Sequence, residues 1–477
     1  MNLTEEIVIL TDNIHWLTKD QAWHYRVLPN SRSGKHFSLY CEDGADTNAL
    51  SSELEILLGL EVKLIPIPAV QVAKLLSKYY IKDNAAQGSA QLQINHKEDD
   101  FLMNLIGEAK NLKSSDIHIE SYENKCRVRI RIDGMMVERY LLKRDEYPAL
   151  INKIKIISNL DIAEKRLPQD GRINFKHGDQ QFDIRVSILP TLHGEKVVLR
   201  LLNNDATEID LNSLGFSRFD LDNYLQGAKR PNGILLISGP TGSGKTTTLY
   251  ATLKLLNKET RNILTIEDPV EYTLEGINQV QLKESIGLNF AAALRTFLRQ
   301  DPDVIMVGEI RDTETANMAI RAALTGHLVL STIHTNSAWG TVSRLIDMGI
   351  PPFLVASTLN TTAAQRLVRL LCPHCKEETP FDTSLYPRQF KPYKEVNHHY
   401  VAKGCEQCYY TGYKGRKAVY EVIPIDQDLA FEIKKGNLYI QDLLQERGIQ
   451  TLAENAFRLF CEGLTSIEEI YPLLFNY

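Results

Sequence analysis

Short hydrophobic runs alternate with amphipathic stretches through the second half of the chain. Four of these runs have the length and composition of buried strands: Ile234–Ile237, Ile263–Ile266, Val304–Val307 and Leu328–Ile333. The stretches between them carry helical patterns, and the one that begins at Thr247 places apolar residues at positions 249, 253, 255 and 256. Strands that alternate with helices predict an α/β domain with a largely parallel, doubly wound sheet.

A different pattern precedes this region. Residues 126–133 alternate strictly, with apolar side chains on one face and Arg127, Arg129 and Arg131 on the other. Residues 182–188 do the same, with Arg185 on the polar face. Together with a helical pattern over 101–112, these half-buried antiparallel strands predict a separate α+β domain. The three-arginine stripe is as consistent with the solvent-exposed face of a sheet as with a functional surface, so we assign it no catalytic role.

Polar stretches divide the chain into segments. Residues 82–100 are poor in large apolar side chains and predict a linker, preceded by a helical pattern over 70–80. The predicted segments are an N-terminal domain (1–81), that linker (82–100), the α+β domain (101–203), a second linker (204–215), the α/β core (216–370), a cysteine-bearing insert (371–412) and a helical C-terminal region (413–477).

Composition and charge limit the kinds of protein that this chain can be. The 43% hydrophobic and 24% charged fractions are typical of a globular protein, and the formal charge of −6 gives no overall electrostatic reason to bind nucleic acid. No apolar run approaches the roughly 18 residues that a membrane-spanning helix needs. The N-terminus lacks the cationic region of a signal peptide. We therefore expect a cytoplasmic protein whose membrane contacts are made through partners.

A phosphate-binding loop follows the first predicted strand of the α/β core. Residues 239–246 match the pattern G-x-x-x-x-G-K-[ST], with a strand before them and a helix after them. Glycines let successive N–H groups point into one concavity, to which the helix adds its positive end. Lys245 would reach the β- and γ-phosphates, and the Thr246 hydroxyl would ligate Mg²⁺. The predicted ATP-binding residues are Gly239, Pro240, Thr241, Gly242, Ser243, Gly244, Lys245, Thr246 and Thr247.

Further polar groups follow the later strands, where open α/β sheets bind ligands. The acidic segment Thr265–Tyr272 carries three carboxylates within five positions, and Glu309 ends the strand that begins at Val304. Gly308 occupies the position at which an aspartate commonly follows such a strand, so Glu309 is expected to act on Mg²⁺ directly or through water. His327 and His334 flank the last of the four strands. A single histidine in this position would more often be a hydrogen-bonded core residue. Acidic groups and histidines that follow successive strands after a phosphate-binding loop favour a catalytic site instead.

Four of the seven cysteines form two C-x-x-C pairs, Cys372/Cys375 and Cys405/Cys408, with 29 residues between the pairs. Two short loops that each present two thiolates suit a tetrahedral Cys₄ zinc site, and four protein ligands predict a structural role. A redox C-x-x-C usually occurs singly, beside the start of a βαβ unit. The remaining cysteines, Cys41, Cys126 and Cys461, are predicted to be small core residues.

These motifs together resemble the secretion ATPase superfamily, and more narrowly the type II secretion and type IV pilus assembly ATPases. The resemblance covers about residues 100–477. It implies a RecA-like P-loop domain preceded by a smaller, PAS-like α+β domain, with the zinc-bearing insert and a helical tail. The matching segments are 239–246, 265–272, 294–303, 307–312 and 326–336, and upstream 116–120, 129–134, 166–172 and 183–187.

The resemblance also implies catalytic roles. Glu271 matches the general base that orients the attacking water, and Glu309 matches the glutamate of the Walker B strand. Arg185 and Arg200 match arginines of the α+β domain that fold over the nucleotide. A further set of matching residues completes the predicted catalytic group: Arg295 and Arg299, which at i and i+4 are expected to share one helix face, and His334.

As a family member, the chain is expected to be a Mg²⁺-dependent ATPase motor, a homohexamer that powers pseudopilus assembly in type II secretion. Pilus extension by the same machinery is the alternative, because the cysteine insert argues against the pilus-retraction branch. Residues 1–81, shorter than the family's N-terminal domain, would dock onto an inner-membrane assembly protein. The acidic charge and the insert disfavour a nucleic-acid motor. A regulator without catalysis is disfavoured by Lys245, Thr246, Glu271 and Glu309.

Overall fold

The computed structural model describes residues 16–17, 19–33, 36–44, 47–69, 71–72, 75–76, 101–177, 180–202 and 210–475. They fall into two compact units divided between Ala90 and Gln91. The predicted linker 82–100, most of the predicted helix 70–80 and part of the second linker lie outside the described residues. Among the described helices, none combines the length and apolar character needed to cross a lipid bilayer.

The N-terminal unit is built on a three-stranded sheet, in which β2 pairs antiparallel with β1 and parallel with β3. Phe37, Leu39 and Cys41 alternate along β2 and are buried, so Cys41 is a core residue as predicted. The elements are the helix Lys19–Tyr25, β1 (Leu28–Ser33), β2 (His36–Glu42), the helix Thr47–Leu58 and β3 (Glu61–Ile67).

The second unit begins with six antiparallel strands in the order β6-β5-β4-β9-β8-β7. The apolar positions of the alternating strands form a core with two helices, and Cys126 belongs to it. This is the α+β arrangement predicted from the alternation. The elements are the helix Phe101–Asn111, β4 (Asp116–Ser121), β5 (Cys126–Ile132), β6 (Met135–Leu142), the helix Tyr147–Ile157, β7 (Gln169–His177), β8 (Gln180–Thr191) and β9 (Gly194–Leu201).

The P-loop part of this unit contains a seven-stranded sheet in the order β12-β11-β13-β14-β10-β15-β18. Neighbouring strands are parallel except for β15 and β18, so the prediction of a largely parallel sheet is confirmed. The strands are β10 (Gly233–Ser238), β11 (Ile263–Glu267), β12 (Asn278–Gln281), β13 (Val304–Val307), β14 (Leu328–Ile333), β15 (Leu359–Leu371) and, after the insert, β18 (Tyr413–Pro424).

Helices cover both faces of this sheet. Along β10, Ile234 and Leu236 join one hydrophobic core, whereas Leu235 and Ile237 join the other. Burial on both faces explains why the strand is an unbroken apolar run rather than an alternating one. The helices before the insert are Arg218–Ala228, Lys245–Leu256, Phe290–Phe297, Thr313–Leu324, Gly340–Asp347 and Pro352–Thr358.

The C-terminal region differs from the prediction at its start. Residues 413–424 form β18, which pairs antiparallel with β15, and helices follow only after it. Residues 418–423 are buried as a continuous run, but Glu421 interrupts their apolar sequence, so they show neither the unbroken apolar run nor the alternation that predicts a strand. The insert leaves the sheet from the end of β15 and carries the antiparallel pair β16 (Glu377–Pro380) and β17 (His398–Val401). The closing helices are Gln427–Lys435, Gln441–Glu446, Leu452–Cys461 and Ile467–Phe475.

Candidate nucleotide site and cysteine cluster

The phosphate-binding loop lies between β10 and the helix Lys245–Leu256, which we call the P-loop helix. Gly242 and Gly244 have φ angles of +81° and +87°, which favour glycine. A Cβ atom on Gly239 would lie 2.5 Å from the carbonyl oxygen of Gln365 on β15. The glycines are therefore required both by the turn and by the close approach of a neighbouring strand.

Lys245 is held over the loop that precedes it. Its Nζ donates to the carbonyl oxygens of Gly239, at 2.8 Å, and Pro240, at 3.0 Å. Burial lowers the pKa of the Lys245 ammonium; Glu309 acts to raise it and Arg366 to lower it. The two hydrogen bonds hold the ammonium beside the concavity of the loop, where it also interacts electrostatically with Glu309.

The acidic segment contains one carboxylate that is buried. Glu267, at the end of β11, accepts hydrogen bonds from Thr265 Oγ1 at 2.6 Å and from the Tyr250 hydroxyl. Asp268 and Glu271 are about half as exposed as free side chains, with relative exposures of 43% and 42%. The sequence did not show which of these three acids is buried, because the burial involves a tyrosine on the P-loop helix.

Glu271 meets the α+β domain. Arg185 Nη1 lies 3.3 Å from its Oε2, and Arg185 Nη2 donates to the Val270 carbonyl oxygen at 2.8 Å. The structure thus brings together two predicted catalytic residues that are 86 positions apart in the sequence. An arginine on one domain contacts the loop that carries a carboxylate on the other.

Arg200 stands opposite Arg185 in the β8–β9 register but has its own partner. Its Nε donates to Asp116 Oδ1 at 2.9 Å, and its side chain is 61% exposed. Burial acts to raise the pKa of Asp116, but hydrogen bonds from Arg200 and Ser115 and the charge of Arg131 outweigh it and lower the pKa.

The arginine stripe of β5 is paired rather than simply solvated. Arg127 and Arg129 both donate to Glu120, at 3.0 and 2.8 Å, and Arg131 lies 3.2 Å from Asp116. Desolvation alone would raise the pKa of Glu120, yet its arginine and lysine partners lower it to about 2. The stripe therefore forms a network of ion pairs on this face of the sheet.

Glu309 and His334 meet at the carboxyl ends of β13 and β14. Glu309 Oε2 lies 3.3 Å from His334 Nε2, and Arg311 forms an ion pair with the other carboxylate oxygen. A Cβ atom on Gly308 would approach the Ile266 carbonyl oxygen to 3.3 Å, so the backbones run close together there. His327 precedes β14, at the opposite end of the strand, and its Nδ1 is 2.9 Å from the Ala322 carbonyl oxygen. His327 therefore lies away from this group.

The expectation that Arg295 and Arg299 share a helix face is wrong. The helix ends at Phe297, and Arg299 Nη1 donates to the Arg295 carbonyl oxygen at 3.1 Å. Turns follow the helix, and Asp301, with a φ of +50° and Pro302 after it, prevents the helix from continuing through this segment. Arg295 itself forms an ion pair with Glu314 on the next helix.

One cation beside the P-loop was missed by the sequence analysis. Arg366 on β15 donates from Nη2 to the Asn336 carbonyl oxygen at 3.2 Å, and its Nη1 is 3.1 Å from where a Cβ on Gly239 would lie. Burial lowers the pKa of Arg366, with Glu421 acting in the opposite direction. A charged residue in the middle of a buried strand was the only available sequence signal.

The four paired cysteines converge in the insert. The Sγ atoms of Cys372 and Cys405 are 3.9 Å apart, those of Cys375 and Cys408 are 3.7 Å apart, and all four lie within 4.8 Å of one another. Tetrahedral ligands at the usual zinc–sulfur distance stand roughly 3.8 Å from each other. The backbone N–H of Gly412 also donates to Cys408 Sγ at 3.3 Å. These thiols fit a tetrahedral metal, and their separations exceed a disulfide bond.

The arrangement therefore combines a P-loop, acidic groups at the carboxyl ends of neighbouring strands, and an arginine from a second domain. The sequence pattern of the type II/IV secretion system protein family matches residues 94–472. The chain belongs to this family.

Two kinds of relative are similar to the chain. The type IV pilus assembly ATPase PilB of Myxococcus xanthus is 42% identical over 96% of this chain and 86% of its own length. The type II secretion system protein E of Pseudomonas aeruginosa is 47% identical over 77% of this chain and 73% of its own.

Solved structures show the same fold. The Legionella pneumophila ATPase DotB matches 79% of this chain and 96% of its own with a TM-score of 0.59, at 22% identity. The pilus retraction motor PilT with bound ADP matches 78% of this chain and 96% of its own with a TM-score of 0.53, at 27% identity. The fold is that of the RecA-like secretion ATPases.

Proposed function

We propose that this protein is a Mg²⁺-dependent ATPase motor that powers assembly of a pseudopilus in type II secretion. The observation that carries the proposal is that Lys245, Glu309 and the loop with Glu271 all follow the carboxyl ends of parallel strands in one sheet. Arg185 reaches Glu271 from the α+β domain. Membership of the secretion family and the names of the relatives support the same activity.

The positions of the residues and the family resemblance support the following roles. The N–H groups of 239–246 would bind the phosphates, and Lys245 would neutralise the charge on the β- and γ-phosphates. The Thr246 hydroxyl and Glu309 would hold Mg²⁺, which when bound offsets phosphate charge. Glu271 would orient the attacking water as general base, and His334 would fix the Glu309 carboxylate, from which it is 3.3 Å away.

Arg185 would couple the two domains, because its contacts with the Glu271 loop exist only while the domains lie together. The two domains would close when ATP binds and reopen after hydrolysis, and this movement would provide the power stroke of the motor. Arg200, on the same face of the sheet as Arg185, would leave Asp116 and bind phosphate when the domains close. Arg295 and Arg299 of the P-loop domain remain candidate catalytic residues.

Arg185→Gln tests this coupling. We expect kcat to fall by roughly 10²-fold, because both the charge and the donor to Val270 are removed. Steady-state hydrolysis and melting temperature measure the effect and the fold. Arg144→Gln is the matched control: Arg144 is exposed in the same domain and donates to the Glu123 carbonyl oxygen. Equal rates for the two variants would contradict the coupling role.

The cysteine cluster is proposed to hold one structural Zn²⁺ through Cys372, Cys375, Cys405 and Cys408. Cys405→Ser is expected to lose the bound zinc and to lower the melting temperature, because the metal ties the two ends of the insert together. Elemental analysis of purified protein measures zinc per chain. Cys461→Ser, a half-buried cysteine outside the cluster, should retain it. Zinc bound equally by both variants would refute the site.

The assembled enzyme is proposed to be a cytoplasmic homohexamer. Its N-terminal unit would dock onto inner-membrane assembly proteins, which would make its membrane association indirect. Nucleic acid is not expected as a partner, and DNA-stimulated hydrolysis would oppose this view.

Pilus extension is the second candidate, and one observation favours it. The alignment with the pilus assembly ATPase spans 96% of the chain, against 77% for the type II secretion protein, so the former must include most of the N-terminal unit. A strain that carries Lys245→Ala at the native locus separates the two. Loss of secreted proteins with surface pili intact supports secretion, loss of pili with secretion intact supports extension, and loss of neither refutes both.

A further inference from the structure

Tyr250 links the P-loop helix to the loop that carries Glu271. It is the fourth residue after Thr246 and is only 1% exposed. Its hydroxyl donates to the Glu267 carboxylate and accepts the backbone N–H of Glu271 at 3.3 Å. One side chain on the nucleotide-binding helix therefore contacts the backbone of the residue proposed as general base.

Gln279 on β12 holds the same loop from the other side. Its Nε2 donates to Glu267 Oε1 and to the Tyr272 carbonyl oxygen, both at 3.1 Å. Its Oε1 accepts the backbone N–H of Leu274 at 2.6 Å. The Tyr272 ring also packs edge-to-face on Tyr250, with ring centroids 4.5 Å apart. Residues 271–274 are thereby tied to Glu267 and to the P-loop helix.

The hydrogen-bond direction in this network is fixed. Burial and the neighbouring Glu267 carboxylate raise the pKa of Tyr250 well above its ordinary value, so the hydroxyl stays protonated. Its proton is directed to Glu267, and its lone pair remains for the Glu271 N–H. A buried carboxylate with several donors is costly to disturb, so the network resists displacement of the loop.

We propose that Tyr250, with Glu267 and Gln279, is a positioning residue that sets the location of Glu271 relative to the bound phosphates. The inference rests on the proposed role of Glu271 as general base. The hydrogen-bond partners of the Tyr250 hydroxyl are Glu267, Gln279 and the backbone N–H of Glu271, and none of them belongs to the phosphate-binding loop 239–246. Loss of the hydroxyl should consequently impair the chemical step and spare nucleotide binding.

Tyr250→Phe tests this, because it removes the hydroxyl and retains the packed ring. The matched control is Tyr224→Phe: Tyr224 is fully buried, and its hydroxyl is 2.7 Å from Thr252 on the same helix. We expect Tyr250→Phe to lower kcat by on the order of tenfold or more, with KM and fluorescent-nucleotide affinity within about twofold of wild type. Tyr224→Phe should keep kcat near the wild-type value, even if the variant has a lower melting temperature.

Two further variants complete the test. Gln279→Met, on the half-buried edge strand, should lower kcat in the same way if Tyr250→Phe does not fold. The double variant Tyr250→Phe/Glu271→Gln should hydrolyse ATP no more slowly than Glu271→Gln alone, because both changes affect one function.

The possible failures are distinguishable. A normal kcat for Tyr250→Phe, or losses that multiply in the double variant, would overturn the positioning role while Glu271→Gln remains inactive. Near-normal hydrolysis by Glu271→Gln would instead refute the base assignment and this inference with it.

Discussion

Lys245→Ala is expected to reduce ATP hydrolysis by roughly 10²- to 10³-fold. The Lys245 ammonium lies over the loop between the Gly239 and Pro240 carbonyl oxygens, beside the concavity where phosphates would bind. Its removal leaves the charge that builds up on the transferred phosphoryl group without the ammonium that would neutralise it. Steady-state phosphate release and nucleotide affinity, both expected to fall, measure the effect.

Lys254→Ala is the control for this change, because Lys254 is exposed near the end of the same helix. It should hydrolyse ATP at a rate close to wild type. An active Lys245→Ala protein that binds ATP normally would contradict the assignment of residues 239–246 as the phosphate site. An inactive Lys254→Ala protein would show that damage to the helix, rather than loss of the ammonium, explains the result.

Glu271→Gln is expected to lower kcat by about 10²- to 10³-fold while retaining ATP binding. The amide has the shape of the carboxylate but cannot accept a proton from the attacking water. Because the Arg185 guanidinium would lose its anionic partner, some closure of the domains should be lost as well. Single-turnover hydrolysis, measured with enzyme in excess over ATP, separates the chemical step from nucleotide exchange.

The control is Glu275→Gln, an exposed carboxylate in the same loop. It should leave kcat within about twofold of wild type, as surface changes usually do. If Glu271→Gln turned over normally while Glu267→Gln did not, the base would have to be reassigned to the buried carboxylate at the end of β11.

Much of the P-loop domain was predictable because burial on both faces produces apolar runs. The run Val304–Val307 coincides with β13, and Leu328–Ile333 coincides with β14. The strand β18 was not predictable in this way. Its position beside β15 depends on pairing across the whole insert, and no local pattern records that pairing.

The sequence predicted the parts of the candidate site that lie in contiguous motifs, but not the contacts between residues that are far apart in the sequence. The P-loop and the end of β13 follow from local motifs. Arg200 pairs with Asp116, 84 positions away, because β4 and β9 are neighbours in that register. Arg366 lies beside the P-loop because β15 pairs with β10. The burial of Glu267 likewise depends on Tyr250, which lies on a different element.

The most direct test is ATP hydrolysis per chain as a function of protein concentration, with light-scattering mass measured on the same samples and Lys245→Ala as the contamination control. An assembled motor predicts a specific rate that climbs with concentration in step with the appearance of a six-chain particle. A rate above the Lys245→Ala background that stays constant in particles with the mass of a single chain would contradict the account.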